Sequence, residues 1–142
     1  MFLLVVNVLI ALVSPTHVFH ARAQAWFLSI RAGGWATCPI TELGFLRILS
    51  HTAMPNFVGS PAVAAAMLAV LKAGPGHVFW PDDVSTSDTR IWETSKLLTS
   101  NQVTDSYLLA LAASKGGKLA TMDVRLNTTG VIDGERYLHQ IP

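Results

Sequence analysis

The chain has 142 residues, 51% of them hydrophobic and only 13% charged, with nine carboxylates against ten Lys plus Arg. Such a composition excludes intrinsic disorder, a collagenous repeat and a long charged tail, and the length implies a single domain over residues 1–142. A net charge of +1 supplies no general basic field, so a nucleic-acid partner needs a local patch, and the one cysteine, Cys38, excludes an internal disulfide and points to a reducing cytosol.

Met1–Val13 (MFLLVVNVLIALV) holds one polar side chain, Asn7. Nothing basic precedes Phe2, and Ser14-Pro15-Thr16-His17 is a poor cleavage context, which argues against a signal peptide. The run also falls short of the roughly 18 apolar residues of a membrane span. Its Val, Leu and Ile content predicts a fully buried strand at the centre of a parallel sheet. A helix is predicted over His17–Arg31, ended by Gly33-Gly34, then a strand over Trp35–Cys38 stopped by Pro39. Thr41–Leu49 reads as a second helix and Pro55–Ser60 as a turn-rich loop. Ser60 caps an Ala-rich helix through Lys72, with Pro61 at its first position and Gly74-Pro75-Gly76 after it. His77–Trp80 is strand-like, Pro81–Ser87 is loop, and Ser87 or Asp88 opens a helix to about Leu98. Val103–Lys115 is an amphipathic helix capped by Thr104 and closed by Gly116-Gly117. Lys118–Thr121 and Tyr137–Ile141 complete the strands.

This alternation predicts an α/β fold with a central, mostly parallel sheet, in which a site lies beyond the carboxyl ends of the strands. Asp123 comes two residues after the strand ending at Thr121. Glu42 lies in the first turn of the helix after Cys38, and Asp105 opens the helix to Lys115. Acids in a first helical turn also complement the helix dipole, which by itself accounts for Glu42 and Asp105. Converging carboxylates are equally what a hard divalent ion requires, and Mg²⁺ or Mn²⁺ near a phosphodiester promotes in-line displacement. Among the other acids, Asp82-Asp83 reads as a solvated loop.

Arg47 and Arg125 lie closest in sequence to the three acids and are candidates for contacting a phosphate, or are ordinary surface charges. Thr104, Thr121 and Asn7 are candidates to support the carboxylates by hydrogen bonding. His17 and His20 have helical ligand spacing, but with Cys38 the sole thiol no structural zinc is expected; Cys38 itself reads as a buried, inert thiol. Trp26, Trp35, Trp80 and Trp92 are generous for this length and suggest apolar surface for a dimer or partner.

The segments LLVVNVLIAL (3–12), HVFHARAQAW (17–26), WATCPITELGFLRILS (35–50), VFWPDD (78–83), VTDSYLLALA (103–112) and KLATMD (118–123) together resemble PIN-domain ribonucleases, specifically toxins of the VapC type. The resemblance covers nearly the whole chain. It implies a PIN α/β/α sandwich and Mg²⁺- or Mn²⁺-dependent cleavage of structured RNA such as tRNA or rRNA. It also implies a cytoplasmic homodimer, with no membrane association, that is neutralised by a VapB-type antitoxin. By this resemblance Glu42, Asp105 and Asp123 are the catalytic, metal-binding acids. The family's first strand reads LLDVNVLIAL, whereas this chain has Val5 in place of that aspartate. Valine donates no ligand, so position 5 is a vacated ligand position and the chain is expected to be weakly active or inactive.

Three origins fit Val5: an engineered inactivation, a spontaneous change selected against a lethal activity, or a native, silent PIN domain that only binds RNA or antitoxin. Retention of the other acids favours the first two. An aspartate in a buried strand is costly, so Val5 is also expected to stabilise the fold.

Overall fold

Phe2–Leu4 forms strand β1, and the chain turns at once into helix α1, Val6–Val13. The computed structural model describes all 142 residues, and it corrects the expectation of one long strand over Met1–Val13. A continuous apolar run does not distinguish a buried strand from a buried helix. Here Val8, Leu9, Ile10, Ala11 and Leu12 are all buried, because α1 packs against two further helices, α2 (His20–Ile30) and α3 (Pro39–Leu49).

The remaining elements are strand β2 (Trp35–Thr37), helix α4 (Pro61–Lys72), strand β3 (His77–Phe79), helix α5 (Val103–Ser114), strand β4 (Lys118–Thr121) and strand β5 (Leu138–Gln140). The strands form one all-parallel sheet in the order β3-β2-β1-β4-β5, the centre of an α/β/α sandwich. Helix α3 starts two residues before the predicted Thr41. Pro39 takes the first helical position and the Thr41 hydroxyl accepts the N–H of Cys38 at 3.0 Å. The Ser60 cap of α4 forms as predicted, accepting from the Val63 N–H at 3.3 Å.

Two expectations fail around α5. No α-helix forms over Ser87–Leu98. The Asp88 carboxylate accepts the N–H of Arg90 at 3.0 Å, a local turn that competes with helix, and Trp92 bridges antiparallel to Val131. Thr104 does not cap α5. The capping position is Gln102, whose side chain instead joins a reciprocal box with Thr99 one turn earlier.

The apolar core includes all four tryptophans, each at most 8% exposed, so the expected aromatic interaction surface is not made by them. No helix is long and apolar enough to cross a membrane.

Candidate functional site

β1 and β4 are neighbours at the switch point of the sheet, where the strand order runs outward in both directions, and their carboxyl ends open on a common crevice. Leu4 pairs with Ala120, and the Val5 N–H donates to the Ala120 carbonyl at 3.3 Å. The Val5 carbonyl then accepts the N–H groups of Val8 (3.1 Å) and Leu9 (3.2 Å), which starts α1. Val5 therefore occupies the N-cap of α1 and not the interior of a strand. Aspartate is among the best residues there, since its carboxylate accepts first-turn N–H groups, whereas valine makes no such bond.

Val5, Asn7, Thr104, Asp105, Thr121 and Asp123, six positions selected from sequence, line one cavity of about 170 Å³ together with Val6, Ile40, Leu108 and Leu126. Asp123 is held firmly. Its N–H donates to Thr121 Oγ1 at 3.0 Å, and its Oδ1 accepts the Arg125 N–H at 2.9 Å. Asp105 is half-buried and has no hydrogen bond contributing to its ionisation. Burial, and then the charge of Asp123, raise its pKa. A desolvated carboxylate beside another carboxylate favours a proton or a cation. Asn7 and Thr104 are exposed at the rim.

Glu42 does not join this pair. Ile40 faces the cavity, and Glu42, two residues later, lies roughly half a turn round α3. Its Oε1 instead accepts the Thr37 hydroxyl at 2.6 Å and pairs with Lys72 Nζ at 2.6 Å, with His77 Nε2 2.8 Å from the same hydroxyl. At Gly44, one turn beyond Ile40, a Cβ would stand 2.7 Å from Val6 Cγ2, so α3 presses directly on α1 there. Arg47 is exposed in the last turn of α3, roughly 10 Å along the axis from Ile40, whereas the Arg125 side chain, 88% exposed, lies beside Asp123. No group of three or more His, Cys, Asp or Glu is placed to hold a metal ion, so the carboxylates that converge are a pair.

A protein-family model described as PIN domain matches residues 2–131. The chain belongs to the PIN-domain family. This PIN domain is similar to Ribonuclease VapC39 of Mycobacterium tuberculosis, 47% identical over 124 residues that cover 87% of this chain and 89% of that protein. Ribonuclease VapC44 of the same organism is 42% identical over 129 residues (91% and 90%), and Ribonuclease VapC38 is 41% identical over 129 residues (90% and 89%). The VapC-type resemblance thus extends along nearly the whole PIN domain.

Sequence reasoning missed one support of this PIN domain. Asp82, expected in a solvated loop, is half-buried, and its Oδ2 accepts the Ile40 N–H at 3.2 Å, holding the first turn of α3 against the site. No local pattern signals a partner so distant in the chain. Asp83 pairs with Lys115 Nζ at 2.7 Å. His17 Nδ1 accepts the Phe19 N–H at 3.0 Å and His20 Nδ1 lies 2.7 Å from the Ala11 carbonyl, so both rings serve the turn into α2. Cys38 is fully buried, and burial pushes its thiol up to about 11.

Proposed function

We propose that this chain is the toxin of a type II toxin–antitoxin pair: a divalent-metal-dependent endoribonuclease, with its cleavage site at Asp105 and Asp123, impaired by Val5. The carrying observation is the convergence of those two carboxylates at the switch point of a PIN domain whose relatives bear the name ribonuclease.

The donor set suits Mg²⁺ or Mn²⁺ held loosely. Both acids offer hard oxygen, Asp105 is short of hydrogen-bond partners, and Mg²⁺ commonly binds through one or two carboxylates plus substrate phosphate. When bound, the ion supplies charge stabilisation at the phosphoryl oxygens. The chain's own residues do the rest. Thr121 fixes the backbone of Asp123, Arg125 offers an exposed guanidinium to the phosphate, and Asp82 through Ile40 supports the wall opposite. Glu42 is left out of this ligand set because it is engaged by Lys72 and Thr37.

The substrate in this reading is structured RNA, and the partners are a VapB-type antitoxin and a second copy of the chain. Exposed apolar residues such as Leu28, Leu43, Val70 and Phe79 offer surface to either. The proposed location is the cytoplasm. RNA cleavage by Val5→Asp protein with Mg²⁺ or Mn²⁺ tests the reading, and its absence would overturn it.

A second reading, a catalytically silent PIN domain that binds RNA or antitoxin, is favoured by Val5 alone. It predicts RNA or antitoxin binding but no cleavage after Val5→Asp.

A further inference from the structure

Beside the carboxylate pair lies a second cavity of about 300 Å³, opening from the same Asp105 and Asp123, with Asn101, Gln102, Arg125, Leu126 and Asn127 in its remaining wall. Two of the three amides in that wall are one-sided in their hydrogen bonding. The Gln102 carboxamide oxygen accepts the N–H groups of Leu98 (2.8 Å) and Thr99 (3.3 Å). The Asn127 oxygen accepts the N–H and the hydroxyl of Thr129 at 2.8 and 2.7 Å. Backbone donors thus fix which end of each amide is oxygen, and both NH₂ groups are left without a protein partner. Arg125 adds a guanidinium whose only side-chain contact is a 3.5 Å approach to Asp123.

The wall away from the acids therefore presents donors. A neutral planar group with adjacent acceptors satisfies it without bringing further negative charge onto Asp105 and Asp123. Guanine carries such an edge in N7 and O6, and single-stranded RNA bases are free to splay into a pocket. Arg125 also lines a cavity on the far side of Asp123, with His17 and Phe19, which leaves the cation where the connecting phosphate of a strand would cross.

We propose that the Asn101–Gln102–Asn127 cavity is a base-reading subsite that selects guanine beside the scissile phosphodiester. This rests on the ribonuclease reading, because the carboxylate pair must act on the neighbouring linkage.

The test uses the chain as it stands and four A-rich RNA heptanucleotides differing only in the central base, with affinity read by fluorescence anisotropy. The expected result is that central G binds about fivefold or more tighter than the other three. Asn127→Asp and Gln102→Glu keep the oxygens that hold their loops but remove the NH₂ donors, so each abolishes most of that preference. Arg125→Gln weakens all four RNAs alike. Absence of a G preference, a preference unchanged in both variants, equal weakening of all four RNAs by them, or no binding at all would overturn the proposal. Cleavage mapping with the Val5→Asp protein separates the two readings. Cuts without base preference uphold the nuclease and overturn the subsite, whereas G-selective binding without cuts overturns the nuclease and leaves a guanine-binding cavity with no scissile bond beside it.

Discussion

Asp105 and Asp123 reach one cavity from different elements, the first turn of α5 and the loop after β4, and burial together with the Asp123 charge raises the proton affinity of Asp105. That coupling separates them from Glu42, whose carboxylate is held by Lys72 and Thr37 on another face of α3. In a Val5→Asp background, Asp105→Asn and Asp123→Asn are each predicted to lower RNA cleavage by more than about 100-fold. Glu42→Gln is predicted to leave the rate close to that of its parent. Single-turnover rates on one RNA check the contrast.

Glu42 has a structural role. The ion pair with Lys72 is about one-quarter exposed on each side (28% and 22%), and the Thr37 hydroxyl donates to the same oxygen. Solvent screening keeps such a pair modest, so Lys72→Met is predicted to cost about 1 kcal/mol, read as a small drop in urea midpoint at unchanged slope.

Stability is predicted to fall on mild acidification. Burial, and then Lys118, lower the pKa of His139, and burial, then Lys72, lower that of His77. In the unfolded chain both rings take up protons near the ordinary value of about 6.5, whereas the folded chain resists them to lower pH. The stabilisation is thus complete above about 6.5 and is lost as pH falls through the folded values. His139 Nε2 also accepts the Trp26 indole N–H at 3.1 Å, which needs the neutral ring. Urea midpoints at pH 5.5 and 7.5 should differ, and His139→Gln should reduce the difference.

Cys38 is predicted to resist thiol reagents in the native state at pH 8. Its side chain is fully buried, and burial pushes its thiol up to about 11, so almost no thiolate exists to react. Labelling should proceed only with denaturant and at the rate of global unfolding.

The fold was legible where local chemistry decides it. Ser60-Pro61 announced α4, the strand Trp35–Thr37 appeared between Gly33-Gly34 and Pro39, and Lys118–Thr121 followed Gly116-Gly117. The apolar start was ambiguous in principle, because a helix buried on all sides and a buried strand share one composition. The switch-point rule pointed to Asp123 and Asp105, which follow or open elements at the carboxyl edge and line one cavity in the fold. It also pointed to Glu42, which lies outside that cavity because proximity to a strand end does not fix helical phase, and Ile40 and Gly44 turn toward Val6 instead. Asp82 and the Asn127 wall were invisible, their roles arising from contacts distant in sequence.

Position 5 sharpens the stability expectation. At the N-cap of α1 an aspartate would gain about 1 kcal/mol from first-turn N–H groups, against repulsion by Asp105 and Asp123 in a partly desolvated cavity. Without divalent ions, Val5→Asp is predicted to melt below the parent chain. Added Mn²⁺ should raise the melting temperature of Val5→Asp markedly more than that of the parent, by ligand linkage. Equal Mn²⁺ responses in the two proteins would count against a third ligand at position 5.

The most direct measurement is the cleavage of total RNA by the chain as it stands and by Val5→Asp, each with Mn²⁺ and with chelator. Discrete cuts by Val5→Asp with Mn²⁺, abolished by chelator and by Asp123→Asn, with little or no cutting by the Val5 chain, are the predicted result. Equal activity of both chains, or none from Val5→Asp, would contradict an impaired metal-dependent nuclease built on Asp105 and Asp123.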